Sequence, residues 1–356
     1  MRVALIGPPQ SGKSTLFAAV AEAGGSHVDI SRPDQPHLAV VKVPDERLDW
    51  LAKLHNPEKT TPAELEFLDL PGFDLSDEAG RGRARSHWMA MEQANMLVFV
   101  VAGFSNQAVP AYRNKVDPAR DVEELKQEML FADLERVSSR IDKLDAAMKK
   151  PTARRDEHLR ELELMKRLCE TLENEKPISG AIHTESESKL IRSFQFLTLK
   201  PTMVVLNCGE DQAAEAGPGE LAGLGCMQLS AKIEEELAQL APAERGEFLK
   251  DLGLTQGARD RLIRACYLRL DLVSFLTDGP DECRAWTVPA GTMAIAAAEQ
   301  VHSDIARGFI RAETVAFSDL HAAGDHKKAK AAGKTRLEGK EYIVKDGDVI
   351  YFRFNV

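Results

Sequence analysis

The segment GPPQSGKS, Gly7 to Ser14, sets a glycine, four residues, a second glycine, a lysine and a serine in one short loop. Glycine-rich turns of this spacing let backbone N–H groups face inward around phosphate oxygens. The apolar run VALIG before the loop reads as a strand, and TLFAAVAEAG after it reads as a helix. The loop therefore opens a helix N-terminus, whose partial positive charge favours an anion. Here Gly7 and Gly12 permit the turn, Lys13 can neutralise the β and γ oxygens of a nucleotide, and the Ser14 hydroxyl can ligate Mg²⁺.

LEFLDLPG, Leu65 to Gly72, carries the second element. An apolar strand ends in Asp69, and Gly72 follows at D-x-x-G spacing. Asp69 would hold Mg²⁺ through a water, and the Gly72 N–H could meet a γ-phosphate and sense its loss. The next residue is Phe73, where Ras-like enzymes use a Gln to orient the attacking water. Phe cannot do this, so either hydrolysis is slow or another group places the water. A Phe packed on the sheet is an equal reading. Lys13, Gly72 and Phe73 are the candidate residues of the reaction centre.

VVLNCGED, Val204 to Asp211, resembles the guanine-reading Asn-Lys-x-Asp loop, with Cys208 in place of the Lys and Glu210 in place of the Asp. That Asp accepts two hydrogen bonds from guanine. Glu is one methylene longer, so its carboxylate cannot take the same place without moving the base or itself. Hydrogen bonds to charged groups contribute roughly 1.5–3 kcal/mol each, so guanine preference falls by a few kcal/mol. The expectation is relaxed specificity, with ATP favoured or both purines accepted. LSAKIEEEL, Leu229 to Leu237, supplies a further base-contacting loop.

These residues need a scaffold. The runs HLAVVKV, LEFLDL, MLVFVVAGF and TMVVLN, with GCMQLSA as a further candidate, read as strands alternating with helices, which predicts a mostly parallel sheet covered on both faces. From Asp117 to about Ser179 the chain is charged, and Val122, Leu125, Met129, Leu134, Val137, Ile141, Leu144 and Met148 follow near-heptad spacing. KKPTARR interrupts them, and Leu159, Leu162, Met165, Leu168 and Leu172 follow, predicting an antiparallel helical hairpin inserted between two strands of the sheet. That hairpin is either a solvated spacer or an arm that touches a partner. From about Val273 the pattern is strand, turn, helix, strand, and then two short strands around KDGD.

The 356 residues suggest two or three domains at roughly 100–200 residues each. No apolar run reaches the roughly 20 residues a membrane span needs, and the N-terminus has no signal-peptide pattern. The five cysteines are widely spaced, which disfavours a disulfide framework or a zinc site and fits free thiols in a reducing cytoplasm. A net charge of −10 repels nucleic acid as a whole, so any RNA contact needs a local basic patch. His326, Lys327, Lys328, Lys330, Lys334 and Arg336 are the candidates, and a solvated basic loop is the equal alternative.

The chain resembles the YchF/Obg-like ATPase family of P-loop GTPase-related proteins over nearly its whole length. The resemblance is carried by SGKSTLF, KVPDERLDWLAKLHNPEKTTPAELEFLDLPG, VDPARDVEELKQEMLFADLE, LNCGED, LSAKIEEELAQL, LIRACYLRLDLVSFLTDG and the block from CRAWTVPAG to the C-terminus. The resemblance implies an α/β P-loop G domain (1–118 and 198–272), an inserted helical coiled-coil arm (119–197) and an α+β ubiquitin-like β-grasp TGS domain (273–356). It also implies a cytoplasmic protein that prefers ATP while tolerating GTP, hydrolyses slowly, and associates with ribosomes in translation and stress responses. By matching position, Gln10, Ser11, Gly12, Lys13, Ser14 and Thr15 would bind phosphates, Ser14 would bind Mg²⁺, Asn207 and Glu210 would face the base with Cys208 between them, and Ser230, Ala231 and Lys232 would line it. Three departures stand out. Pro8, Gln10 and Ser11 differ from the usual family loop, the switch I Thr position falls on Pro33 with Ser31 or Asp34 as possible substitutes, and the run after Gly72 differs in content.

Two functions follow: a slow ATPase switch on the ribosome, or a nucleotide-gated adaptor for RNA or protein with negligible turnover, which the altered switch I favours. A small-molecule kinase is disfavoured because no acceptor-substrate lid is evident. Neither DNA nor a membrane is an expected partner, and a monomer is the favoured state.

Overall fold

Val3, Ala4, Leu5 and Ile6 expose no surface, as an apolar strand between two other strands requires. A computed structural model describes residues 1–22, 32, 34–106, 110–149, 154–241 and 243–355; Ser31 and Pro33 lie outside them. The strands in chain order are β1 (Arg2–Ile6), β2 (His37–Lys42), β3 (Lys59–Thr61), β4 (Glu64–Asp69), β5 (Met96–Ala102), β6 (Thr202–Asn207), β7 (Glu220–Leu221), β8 (Leu224–Leu229), β9 (Leu272–Thr277), β10 (Glu282–Pro289), β11 (Phe309–Ala316), β12 (Arg336–Glu338) and β13 (Asp348–Phe354). Two compact units emerge: residues 1–39 with 66–258, and residues 40–65 with 259–356.

The seven-stranded sheet runs β2-β4-β1-β5-β6-β8-β7. The pairs β1/β4, β1/β5, β5/β6 and β6/β8 are parallel, and the short β7 runs antiparallel to β8. This is the mostly parallel α/β architecture that the apolar runs predict, and Gly225–Ala231 does contribute a strand, β8. Met96 to Val101 of β5 are wholly buried, because helices cover both faces. Gly7 follows β1, Asp69 ends β4 and Asn207 ends β6. Parallel pairing thus brings all three to the carboxyl edge of one sheet, where ligands of such folds bind.

The long helix Pro118–Met148 starts on an Asp117 cap that accepts from the Arg120 N–H at 3.3 Å, with Pro118 in its first turn. Its apolar stripe serves two cores. Val122, Leu125, Met129 and Ala132 pack with Ile6, Phe99 and Val101 of the sheet. Val137 and Leu144 pack with Leu162, Met165, Leu168 and Leu172 of the helix Arg155–Glu173. The Arg140 guanidinium clasps Glu161 at 2.6 and 2.8 Å along that seam. Asp133 stands where the stripe changes partner. Its carboxylate accepts from the Leu197 and Thr198 N–H groups at 2.8 Å and from the Thr198 hydroxyl at 2.7 Å, anchoring the chain on its return to the sheet. Residues 150–153 of the expected hairpin turn lie outside the described residues.

The second unit holds a six-stranded mixed sheet, β12-β11-β13-β9-β10-β3. Its core gathers Phe275, Val288, Phe309, Ile350 and Phe352 against Ala294, Ala297 and Ala298 of the helix Ala294–Val301. The segment 40–65 belongs to this unit: β3 pairs with β10 from Glu282 to Arg284, and Trp50 meets Phe317 edge-on at 5.5 Å. The helix Glu46–His55 is capped by Asp45, and Arg47 reaches Asp346 at 2.7 Å. One expectation is corrected. Only one of the two strands expected around KDGD forms, β13, while Tyr342–Val344 supplies a single bridge from Ile343 to Met293. The Asp348 carboxylate accepts from the Tyr342 hydroxyl at 2.7 Å and the Lys345 N–H at 2.9 Å, which folds that stretch into a turn instead. No helix among the described residues is long and apolar enough to cross a membrane.

Candidate nucleotide-binding site

The loop after β1 is shaped by close backbone approach. A Cβ at Gly7 would lie 2.1 Å from the Val100 carbonyl oxygen, and one at Gly12 would lie 2.0 Å from Asn207 Nδ2. Gly12 also has φ +81°, and Gln10 has φ +65°, so the loop turns twice through the left-handed region and its amides can converge. The helix Lys13–Glu22 begins directly behind it. Ser11 is 2% exposed, and its hydroxyl is buried without a hydrogen-bond partner, an orphan polar group that a bound phosphate would satisfy. Gln10 is exposed, and Ser14 and Thr15 are half-buried.

Lys13 Nζ donates to the Asp69 carboxylate and to the Leu70 carbonyl. Burial lowers the Lys13 pKa, and the charge and hydrogen bond of Asp69 oppose that shift. The Ser14 hydroxyl donates to the other Asp69 oxygen at 2.8 Å. A hydroxyl and a carboxylate side by side form a hard oxygen set, which fits Mg²⁺. His37, which the sequence reading missed, places Nδ1 3.9 Å from the same Asp69 oxygen.

Beyond Asp69, the Phe73 N–H donates to the Gly7 carbonyl at 2.9 Å, tying the D-x-x-G turn to the phosphate loop. The Phe73 ring is 2% exposed and packs in the core with Leu70, Leu75, Met91 and Phe99. It also stacks on His87, with centroids 6.2 Å apart. Of the two readings of Phe73, the side chain is placed as the packed one. Burial, and then the charge of nearby Lys13, lower the His87 pKa. His87 is the first histidine after the D-x-x-G turn, the one sequence signal that could have found it. Tyr112 carried no such signal; its hydroxyl accepts from the Leu75 N–H at 3.0 Å and donates to Glu124 at 3.1 Å, holding the segment after Gly72.

The base loop departs from a simple reader. Asn207 is 4% exposed, and both ends of its amide are engaged: Nδ2 donates to the Ser11 carbonyl and Oδ1 accepts from the Ala231 N–H, each at 2.9 Å. Asn207 therefore braces the phosphate loop against the start of the helix Ala231–Gln239. Cys208 is buried, with its N–H on the Leu229 carbonyl at 2.8 Å. Ser230 and Ala231 are buried at the turn into that helix. Glu210 forms an ion pair with Lys232, and both side chains face solvent. The two expected base contacts, Glu210 and Lys232, are thus partners of each other.

Four members of the basic cluster near the C-terminus are ion-paired. Lys328 pairs with Asp325, Lys330 with Glu313, Lys334 with Asp319, and Arg336 with Glu338 and Asp348, all between 3.1 and 3.6 Å.

The chain is similar to known proteins over nearly its whole length. Residues 2–136 match a family described as "50S ribosome-binding GTPase", and residues 272–355 match the YchF-GTPase C-terminal family, described as a protein of unknown function. A "Ribosome-binding ATPase YchF" of Bacillus subtilis is 39% identical over 363 residues, covering 99% of this chain and 98% of that one. An "Obg-like ATPase 1" of Oryza sativa is 32% identical, covering 100% and 92%. The solved YchF GTPase of Schizosaccharomyces pombe superposes with a TM-score of 0.84 at 25% identity, covering 99% and 97%.

Proposed function

The chain belongs to the YchF/Obg-like ATPase family, and from that premise we propose that it binds a Mg²⁺-bound purine nucleoside triphosphate, prefers ATP to GTP, and hydrolyses it slowly as a conformational switch. The observation that carries the base preference is the Glu210–Lys232 pair. A carboxylate held by a lysine is a poor acceptor for the guanine N1–H and N2–H₂ edge. Phosphate binding rests on the loop Gly7–Thr15 with Lys13, and Ser14 and Asp69 would hold the metal. When bound, Mg²⁺ neutralises charge on the β and γ oxygens. Lys13 must then exchange Asp69 for phosphate, which links nucleotide arrival to the D-x-x-G turn at Gly72.

In this reading residues 1–118 and 198–272 form the G domain, 119–197 a coiled-coil arm, and 273–356 a TGS domain, although 40–65 and 259–272 are grouped with 273–356 in one compact unit. Arm and TGS domain would carry the output to a ribosomal partner in the cytoplasm; the relatives' printed name, ribosome-binding ATPase, supports the ribosome part of that reading. A second reading, a nucleotide-gated adaptor with negligible turnover, is favoured by one observation. Phe73 is packed in the core, so the residue after D-x-x-G orients no water.

Affinity for ATP and GTP in wild type and Glu210→Asp tests the base assignment. Wild type should bind ATP more tightly, and Glu210→Asp should shift the ratio toward GTP. A wild type that prefers GTP tenfold removes the assignment. Single-turnover hydrolysis with and without ribosomes separates the two functions. A rate raised by ribosomes supports the switch; no hydrolysis in either condition leaves the adaptor.

A further inference from the structure

His55, Asp278 and His326 come from three separate stretches: the end of the helix Glu46–His55, the turn after β9, and the start of the helix His326–Ala331. All three lie in the second unit and share no residue with the nucleotide site. Their ligand atoms converge. His326 Nε2 is 2.6 Å and His55 Nε2 is 2.7 Å from the same oxygen, Asp278 Oδ2, and the three atoms all lie within 4.8 Å of one another. The His55 Nε2 is buried and satisfies no hydrogen bond despite that distance. The Asp278 side chain is 7% exposed, whereas His326 is 41% exposed.

Two imidazoles aimed at one nearly buried carboxylate oxygen are a crowded arrangement for hydrogen bonding alone, since the Oδ2 hydrogen bond goes to His326 and the His55 nitrogen is left over. A cation among the three atoms would use all of them. Two histidines and one aspartate are a borderline-soft set that suits Zn²⁺ and its transition-metal neighbours, not the all-oxygen chemistry of Mg²⁺ or Ca²⁺. In a tetrahedral Zn²⁺ site, with bonds of about 2.0–2.1 Å, ligand atoms stand roughly 3.3 Å apart. The nitrogens therefore need to retreat from the oxygen by only about 0.6–0.7 Å, within reach of a half-exposed His326. The exposed side leaves the fourth position to water.

Neighbouring charge is mostly compensated. Glu313 is held by Arg353 and by Lys330 at 3.4 Å, and Asp325 by Lys328 at 3.2 Å. Lys327 lines the same recess and opposes a cation there.

We propose that His55, Asp278 and His326 bind one Zn²⁺-class ion, which clasps the segment 40–65 and the helix His326–Ala331 to the sheet of the second unit. Metal binding then contributes directly to the stability of that unit. The site is new relative to the nucleotide function and independent of it.

The test uses the full chain stripped of metal with a chelator. Zn²⁺ is titrated in competition with a chromophoric chelator, and Co²⁺ is added as a spectroscopic probe. One equivalent should bind, the Co²⁺ form should show the visible bands of a tetrahedral site without a thiolate charge-transfer band, and Zn²⁺ should raise the Tm. His55→Gln and His326→Gln should each weaken Zn²⁺ binding by roughly a hundredfold or more, at or beyond the upper end of second-shell losses, and together abolish the Tm shift. Ser14→Ala should leave Zn²⁺ binding unchanged. Three outcomes overturn the proposal: Zn²⁺ that fails to compete with the chelator, a Co²⁺ spectrum with a thiolate band that disappears in Cys283→Ser (Cys283 is the buried thiol facing the carbonyl of Gly279, which is next to Asp278 in the chain), or wild-type binding retained in the double histidine variant. If a histidine variant does not fold, the Co²⁺ spectrum of the wild type still decides.

Discussion

Asn207→Ala is the sharpest perturbation of the nucleotide site. The wild-type side chain is 4% exposed and makes two bonds of 2.9 Å, to the Ser11 carbonyl and the Ala231 N–H, both on residues at most 2% exposed. Removing it leaves a buried acceptor and a buried donor unpaired. Each costs about 1–3 kcal/mol, so the variant should lose about 2–6 kcal/mol, concentrated where the phosphate loop meets the helix Ala231–Gln239. Asn207→Asp keeps the acceptor for Ala231 but sets an oxygen against the Ser11 carbonyl, so it should be no milder. Urea unfolding without nucleotide measures the stability, and hydrogen exchange of the Ser11–Leu16 amides locates the loss. If the residue acts as a brace, ATP and GTP affinities fall by the same factor, tenfold for each 1.4 kcal/mol of loop preorganisation lost. A variant within about 0.5 kcal/mol of wild type whose ATP-to-GTP ratio has moved would refute the bracing argument and return Asn207 to base reading.

Phe73→Ala should cost about 3–5 kcal/mol because it empties a core site against Leu70, Met91 and Phe99; Phe73→Leu should cost far less, with thermal unfolding as the measure. Asp133→Ala should cost about 2–6 kcal/mol, since the Leu197 and Thr198 N–H groups lose their acceptor, and the urea midpoint reports it. Burial raises the Asp133 pKa despite these bonds, so its protonated form is the one folding favours. The pH-dependent part of its contribution is therefore present below the ordinary value of 3.8 and lost as pH rises through the raised value. Glu187 has the opposite sign. Its pKa is lowered, first by the His183 N–H and then by Arg167. Its contribution is present above the ordinary 4.5 and lost as pH falls through the lowered value; Glu187→Gln should flatten that limb of the stability–pH curve.

Much of the scaffold was readable because its signals are local. The apolar runs that form β1, β4, β5 and β6 are long enough to specify buried strands, and parallel order follows from the helices between them. The same local logic missed β3 and β12, each three residues long, and misread Tyr342–Val344, where one carboxylate outcompetes strand pairing. The stripe on Pro118–Met148 was visible, but its division between two cores was not, since 3.6-residue periodicity records which face is apolar and not what covers it.

The site divides in the same way. The amino-acid sequence by itself determined the phosphate loop, the D-x-x-G turn and the substitution of Glu210 for aspartate, because backbone conformation and residue chemistry act within a few residues of one another. Only the tertiary structure decided that Asn207 is bonded to Ser11 across 196 positions of sequence, that Phe73 lies against His87, that Glu210 is held by Lys232, and that residues 40–65 join the C-terminal sheet to bring His55 beside Asp278 and His326. Each of these depends on where a side chain ends after distant segments have packed. Hydrogen bonds and ion pairs act over about 3–4 Å, a distance that no spacing along the chain encodes.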